Sequence, residues 1–285
     1  MGYTQYYFYN DKYYYSNWVM ELGASAGMMN CLTDIGGKQG TGKSYFKDLN
    51  WQMSKPAFSI YSITTYKEAA AFRLEASFGR IESYDKVLKA VSASTFGRYE
   101  RNLSFKSRIF EIQLATEIHP LFLRSYDDEK APFLSPYIVG GLGYFLYNPE
   151  AKLNGNWYYL RPLHTEGQGF PEYPGRKMYR LDQLNIPLGA GIRYELSATI
   201  NLRLELVYRI LFTDYLDDVS QRNYVDPSLF YTYLDPQQAS IARQLSDRRL
   251  ITVVGGQRGN PDKKDTFFTV QLKVSACLRS AIHKR

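Results

Sequence analysis

The run from Gln183 to Ser220, QLNIPLGAGIRYELSATINLRLELVYRILFTDYLDDVS, constrains the fold more than any other part of the chain. Leu202, Leu204, Leu206, Tyr208, Ile210 and Phe212 share one face. Arg203, Glu205 and Arg209 share the other, with Val207 and Leu211 as apolar exceptions. A period of two belongs to a strand whose faces meet different media. Upstream, Ile186, Leu188, Ala190, Ile192, Tyr194 and Leu196 repeat the pattern against Asn185, Gly189, Gly191, Arg193 and Glu195. Only Ser197-Ala198-Thr199 separates the two runs, which makes them a tight antiparallel hairpin. About 11 residues at roughly 3.3 Å each, tilted by about 40°, span roughly 27 Å, the height of the apolar band of an outer-membrane β-barrel.

The alternation recurs along the chain. Met20, Leu22, Ala24, Ala26 and Met28 oppose Glu21, Gly23, Ser25 and Gly27, and a less regular run covers Ala57 to Tyr66. Phe72, Leu74, Ala76 and Phe78 oppose Arg73, Glu75, Ser77 and Gly79. Phe110, Ile112, Leu114 and Ile118 oppose Glu111, Gln113, Glu117 and His119. Ile138, Leu142, Tyr144 and Leu146 turn away from Gly141 and Gly143, and Phe268 to Ala276 alternates against Thr269, Gln271, Lys273 and Ser275. With the hairpin, that makes eight strands. The connections run long (Leu32 to Lys55), short (Lys67 to Ala69), long (Glu82 to Leu103), short (Arg124 to Ala131), long (Asn148 to Asp182), short, and long (Thr213 to Lys264). Outer-membrane barrels have this rhythm, with short periplasmic turns and long extracellular loops. A lipocalin-like soluble barrel would share it with the two faces exchanged. The polar set carries both signs of charge and much glycine, which suits a narrow, side-chain-filled lumen. The expectation is an all-β, eight-stranded antiparallel up-and-down transmembrane barrel over residues 18–280, in the outer membrane, preceded by an aromatic segment over residues 1–17.

Composition supports this at two points. Among 285 residues there are 26 tyrosines and 16 phenylalanines, yet no apolar run approaches the length of about 18 residues that a spanning helix needs. The net charge of +7 is scattered rather than clustered, so nucleic acid is not an expected partner. The first residues, MGYTQYYFYNDKYYYSNW, lack the basic start and apolar core of a signal peptide. A barrel must cross the inner membrane, so a leader is expected to have been removed. Cys31 falls near the top of the first strand and Cys277 near the bottom of the last, beyond disulfide reach, so both thiols are expected to be free.

The lumen should receive Glu21, Arg73, Glu75, Glu111, Glu117, Arg193, Glu195, Arg203, Glu205, Arg209 and Lys273, five basic side chains against six acidic. Unpaired buried charge is prohibitively costly, so these must form a satisfied network. A structural plug of ion pairs is expected rather than an ion path.

Other motifs carry less. Gly37 to Ser44, GKQGTGKS, fits the G-x-x-x-x-G-K-[ST] nucleotide loop letter for letter. That chemistry needs a buried parallel strand before the loop and a helix after it, and this sequence offers neither. A glycine-rich outer loop with no nucleotide is the expectation. Asp214, Asp217 and Asp218 could supply oxygens to Ca²⁺, but without an EF-hand spacing a solvated turn is the expected reading. Asp235-Pro236 followed by Ala239, Ile241, Ala242 and Leu245 predicts a short amphipathic helix that lids the barrel or docks on the loops. His119, His164 and His283 are too dispersed for a metal site or a triad, so no cofactor, metal or enzymatic activity is expected.

Several segments together carry a resemblance: NCLTDIGG after the first strand, IPLGAGIRYELS, FTDYLDDVS, DPQQASIARQLSDRR, and GGQRGNPDKKDTFFT before the last strand. In this order the chain resembles, from Glu21 onward, the Bacteroidetes outer-membrane barrel family typified by PorG. The resemblance implies an anchoring or accessory subunit of the type IX secretion machinery, contacting a periplasmic ring built by a lipoprotein and its partner subunit. The other reading of the residues is a stand-alone barrel, with outer-membrane lipid around it, that binds a surface ligand through its long loops.

Overall fold

A computed structural model of the chain describes residues 17–37, 50–90, 92–124, 132–197, 199–251 and 256–278. The aromatic segment expected over 1–17 therefore lies, apart from Asn17, outside the described residues, as does the nucleotide-loop look-alike beyond Gly37.

Nine strands are present among the described residues: β1 (Trp18–Leu32), β2 (Lys55–Tyr66), β3 (Ala70–Tyr84), β4 (Ser104–Ile118), β5 (Leu134–Leu153), β6 (Asn156–Tyr159), β7 (Asp182–Ser197), β8 (Ile200–Leu211) and β9 (Thr266–Leu278). Eight of them close into an antiparallel barrel in the order β4-β3-β2-β1-β9-β8-β7-β5, with β5 pairing back to β4. β1 and β9 pair from Met20↔Leu278 to Leu32↔Thr266, so the first and last strands leave no open edge. Cys277 lies opposite Glu21, and Cys31 lies ten residues further up β1, opposite Phe267. At about 3.3 Å per residue that places the thiols roughly 33 Å apart; both are free.

The two faces of the wall decide which medium surrounds it. Leu114 is 62% and Leu142 66% exposed on the outside, whereas Arg73 and Lys273 are 0% exposed inside. Phe58, Ile60, Phe72, Leu188, Leu204, Ile210, Leu272 and Val274 continue the outward apolar band around the circumference. A water-soluble barrel would reverse these faces. Burying charge while presenting bulky hydrocarbon outward is the arrangement of a barrel standing in lipid, and the chain is an outer-membrane-type β-barrel. Aromatic pairs sit at the lower rim, Trp18 with Tyr66 at 4.7 Å and Phe133 with Tyr194 at 5.8 Å between ring centroids, where interfacial rings belong. No helix among the described residues is long and apolar enough to cross a membrane.

The narrow bore explains two of the inward glycines. A Cβ at Gly191 would come within 2.5 Å of the Tyr137 ring, and one at Gly23 within 2.4 Å of the Tyr61 ring. The tip of each tyrosine ring reaches over a glycine on the neighbouring strand, filling lumen that a second side chain could not share.

The strands run further above the wall than the alternating pattern indicated. β3 continues to Tyr84 and β4 begins at Ser104, and between them stand a 3₁₀ turn (Asp85–Ala90) and helix α1 (Ser92–Arg101). β5 continues through Pro149 to Leu153 and folds back as β6. Asn154 and Gly155, both at positive φ (51° and 89°), make the left-handed turn such a hairpin requires. This hairpin falls inside the expected connection Asn148 to Asp182, because Asn148-Pro149-Glu150 breaks the apolar alternation without breaking the ladder to β4.

The last loop contributes α2 (Pro227–Tyr233) and α3 (Pro236–Ser246). α3 starts where Asp235-Pro236 places it: the Asp235 carboxylate accepts from the backbone N–H of Gln237 and Gln238, at 3.0 and 3.1 Å. Its buried face, Ala239, Ala242 and Leu245, packs with Ala151, Leu160, Phe170 and Phe230 in a hydrophobic core separate from the barrel. The outer loops thus fold into a cap with its own core.

Candidate functional site

Two polar assemblies follow from this architecture, one in the lumen and one between barrel and cap. In the lumen, ten of the eleven charged residues expected there are buried: Glu21, Arg73, Glu75, Glu111, Glu117, Arg193, Arg203, Glu205, Arg209 and Lys273. Glu195 is half-buried near the β7–β8 turn. At the lower end, Arg203 on β8 donates from both terminal nitrogens to Glu21 on β1, at 2.8 and 3.1 Å, and Ser275 bridges the two at 2.7 and 2.5 Å. At mid-height, Arg73 on β3 contacts Glu117 at 2.8 Å, Glu75 at 3.1 Å and Glu205 at 2.5 Å. Since β8 lies four places from β3 around the eight-membered ring, Arg73–Glu205 crosses the full bore.

Lys273 on β9 joins the same knot, 2.6 Å from Glu75 and 3.1 Å from Glu205. Tyr137 donates to Glu205 at 2.8 Å, and Gln113 and Ser59 donate to Glu75 at 3.0 and 2.5 Å. Above this, Arg209 pairs with Glu111 at 2.9 Å and donates to Thr269 at 2.6 Å, while Asn185 donates to Glu111 at 2.8 Å. The chemistry of this set is mutual neutralisation. It holds paired ions together with amide and hydroxyl donors.

At the floor the structure adds partners that strand patterning does not reveal. Arg193 pairs at 2.6 Å with Glu68, a residue of the β2–β3 turn that alternation assigns to no face, and its guanidinium lies 5.3 Å from the Phe122 ring centroid. His119 meets Ser135 at 3.0 Å. The only sequence signal for Glu68 is the tight Lys67-Glu68 turn, whose two residues both take positive φ. With its bore crossed by charge pairs at three heights, the barrel is expected to show no stable open state in planar-bilayer recordings. A large, long-lived single-channel current would contradict this.

No protein-family model and no curated protein matches the chain. Solved structures to which it is similar include Ail of Yersinia pestis, at 7% identity over 92% of this chain and 97% of that one, TM-score 0.37. Neisserial surface protein A is similar at 8% identity over 92% and 97%, TM-score 0.37. OprG from Pseudomonas aeruginosa is similar at 6% identity over 91% and 96%, TM-score 0.37.

The second assembly corrects an expectation. Asp214, Asp217 and Asp218 are not a solvated turn; all three are buried beneath the cap, Asp217 and Asp218 completely. Asp217 is drawn inward because its carboxylate satisfies backbone groups that loop packing would strand, and Asp218 because it answers buried hydroxyls, whereas neither Asp214 carboxylate oxygen accepts a hydrogen bond among the described residues. Asp217 accepts from the N–H of Ile35 at 3.1 Å and of Val219 at 2.9 Å. Asp218, at φ +65°, accepts from Tyr179 at 2.8 Å and from Thr165. Asp265 accepts from the N–H of Leu216 at 2.9 Å.

Two arginines lock the layer. Arg101 pairs with Asp85 at 2.8 Å and donates to the carbonyls of Asp34 and Arg258, at 2.6 and 2.5 Å. Arg258 pairs with Glu166 and donates to the carbonyls of Ser246 and Asp218, at 3.2 and 3.1 Å. Burial pushes the carboxyls up: Asp34 to about 6, and Asp214 and Asp218 to about 7, the last against the pull of Arg258. Burial also raises Asp217 and Asp265 well above the ordinary carboxylate range, helped by neighbouring carboxylates. Among the described residues no group of three or more His, Cys, Asp or Glu side chains is arranged to hold a metal ion.

Proposed function

We propose that the protein is a closed, non-enzymatic barrel of the cell outer membrane that acts as an anchoring or accessory subunit of the type IX protein secretion machinery and contacts its periplasmic ring. The observation that supports the anchoring role is the filled lumen: the bore is crossed by Arg73–Glu205 and Lys273–Glu75, which obstruct a wide channel. What the protein does must then be done by surfaces beyond the strand ends. The secretion role draws its support from the five ordered segments that resemble the PorG-typified family. On the periplasmic side the short turns and the 3₁₀ segment Pro120–Leu123 offer the contact surface. There Leu123 is 69% and Phe133 45% exposed, apolar groups beside the charged Arg193–Glu68 pair. Affinity purification of the tagged barrel from native outer membranes is expected to recover the ring subunits. Recovery of the barrel alone, with secretion intact after its deletion, would defeat this reading.

A further inference from the structure

On the outer side a cavity of about 490 Å³ opens between α1, the start of the first loop and the last loop, lined by Phe96, Glu100, Tyr224 and Ile251 among others. That volume falls within the roughly 300–1,000 Å³ of small-ligand sites. We propose that this cavity binds a neutral, hydroxyl-rich ligand of the saccharide class from outside the cell. The proposal is independent of the secretion role and can fail without it.

The first observation is an unmet hydrogen-bonding demand. Glu100 is only 8% exposed, yet its Oε2 accepts no hydrogen bond among the described residues; its backbone carbonyl is taken by the Leu250 N–H at 2.9 Å. The Tyr224 hydroxyl oxygen, lining the same cavity, is likewise buried without a partner among the described residues. A buried polar group left unmet costs stability, so an acceptor and a phenol around one cavity point to a ligand that both donates and accepts hydrogen bonds.

The second observation is the charge around the cavity, which narrows the ligand. Arg98, Arg101, Arg249 and Arg258 all line it, a field that disfavours a cationic donor. Those guanidiniums are nevertheless engaged: Arg101 with Asp85, Arg249 with Asp247 at 2.6 Å, Arg258 with Glu166, and Arg98 with the Gly36 carbonyl at 2.5 Å. Three of the four thus already meet a carboxylate, and Glu100 and Asp34 add negative charge, so the cavity offers an anion little countercharge. Neutral hydroxyls satisfy both constraints, donating to the carboxylate and exchanging hydrogen bonds with the phenol.

The third observation is the lip. Phe96 is 50% and Ile251 56% exposed, apolar surface beside polar walls, which matches the C–H face of a pyranose ring.

The test uses the full-length protein in a detergent without a sugar headgroup. It is titrated with cellobiose, maltotriose, mannobiose and diacetylchitobiose, with glucosamine and glucuronate as charged counterparts. At least one neutral saccharide is expected to bind saturably, and more tightly than either charged sugar. Glu100→Leu is expected to weaken that binding by about tenfold or more. The same variant should keep or raise thermal stability, since it removes a buried acceptor that no described residue satisfies. Gly97→Trp fills space instead: Gly97 lines the cavity, and an added Cβ there meets no atom within 4 Å. It should abolish binding in a protein that still folds. Absence of saturable binding across the panel, tighter binding of a charged sugar, or binding unchanged in both variants would each overturn the proposal.

Discussion

Replacing Arg73 with methionine is expected to destabilise the folded barrel by about 3–5 kcal/mol, the usual cost of removing one partner from a buried ion network. Arg73 is fully buried and meets three carboxylates, Glu75, Glu117 and Glu205. Without it, Lys273 alone remains to answer Glu75 and Glu205, and Glu117 keeps only His119 at 3.5 Å. The loss is a consequence of stranded charge rather than lost attraction, so neutralising the stranded groups should undo part of it. Glu117→Gln combined with Arg73→Met is therefore expected to be more stable than Arg73→Met alone. Urea titrations of the detergent-folded protein, followed by tryptophan fluorescence and by the gel-mobility difference between folded and unfolded barrel, measure both. A loss below about 1 kcal/mol, the size of an exposed pair, would show that the knot is solvated and that the lumen is not sealed.

The wall of the barrel was legible because each strand separates two media, so alternation reports the face directly. Leu202 to Phe212 places Arg203, Glu205 and Arg209 inside without reference to anything distant, and all three are buried. Even Val207 and Leu211, exceptions to the pattern, obey its parity and lie inside at 1% and 2% exposure. Which carboxylate meets which cation was not legible. Arg73 and Glu205 are 132 positions apart in sequence and join only because closure sets β3 across from β8. Glu68 was missed because a turn has no alternating face.

The cap was harder still. DDVS around Asp217 and Asp218 reads as a solvated turn when only neighbours in sequence are considered. Burial comes from Ile35, Thr165, Tyr179 and Arg258, residues of three other segments. Only its helix could be read locally, because the Asp235 cap and the apolar face of α3 are properties of consecutive residues. Three segments singled out in the sequence, NCLTDIGG around Asp34, FTDYLDDVS around Asp217 and GGQRGNPDKKDTFFT around Arg258, converge in this layer, where Asp34 accepts from the Asn260 N–H at 2.5 Å.

That layer should make the cap sensitive to pH while the barrel beneath it stays intact. In the closed cap, burial holds Asp34 at about 6 and Asp214 and Asp218 at about 7, with Asp217 and Asp265 raised further in the same direction. Once the cap opens to water, each returns toward the ordinary aspartate value of about 3.9. Between these limits the closed form binds protons that the open form releases. Closure is therefore fully favoured below about pH 4 and weakens as pH rises through 7, with the opening constant growing about tenfold per pH unit for each proton involved. Amide hydrogen exchange in residues 213–220, corrected for the intrinsic rate, is expected to speed up from pH 5 to pH 8, with the amides of β1 and β9 as an unchanging reference. Asp265→Asn keeps an acceptor for the Leu216 N–H while removing a carboxyl from the cluster, and should flatten the dependence. Corrected exchange that is level across this range, or slower at pH 8, would mean that the aspartates are already ionised in the closed cap, with Arg101 and Arg258 outweighing the burial that raises them.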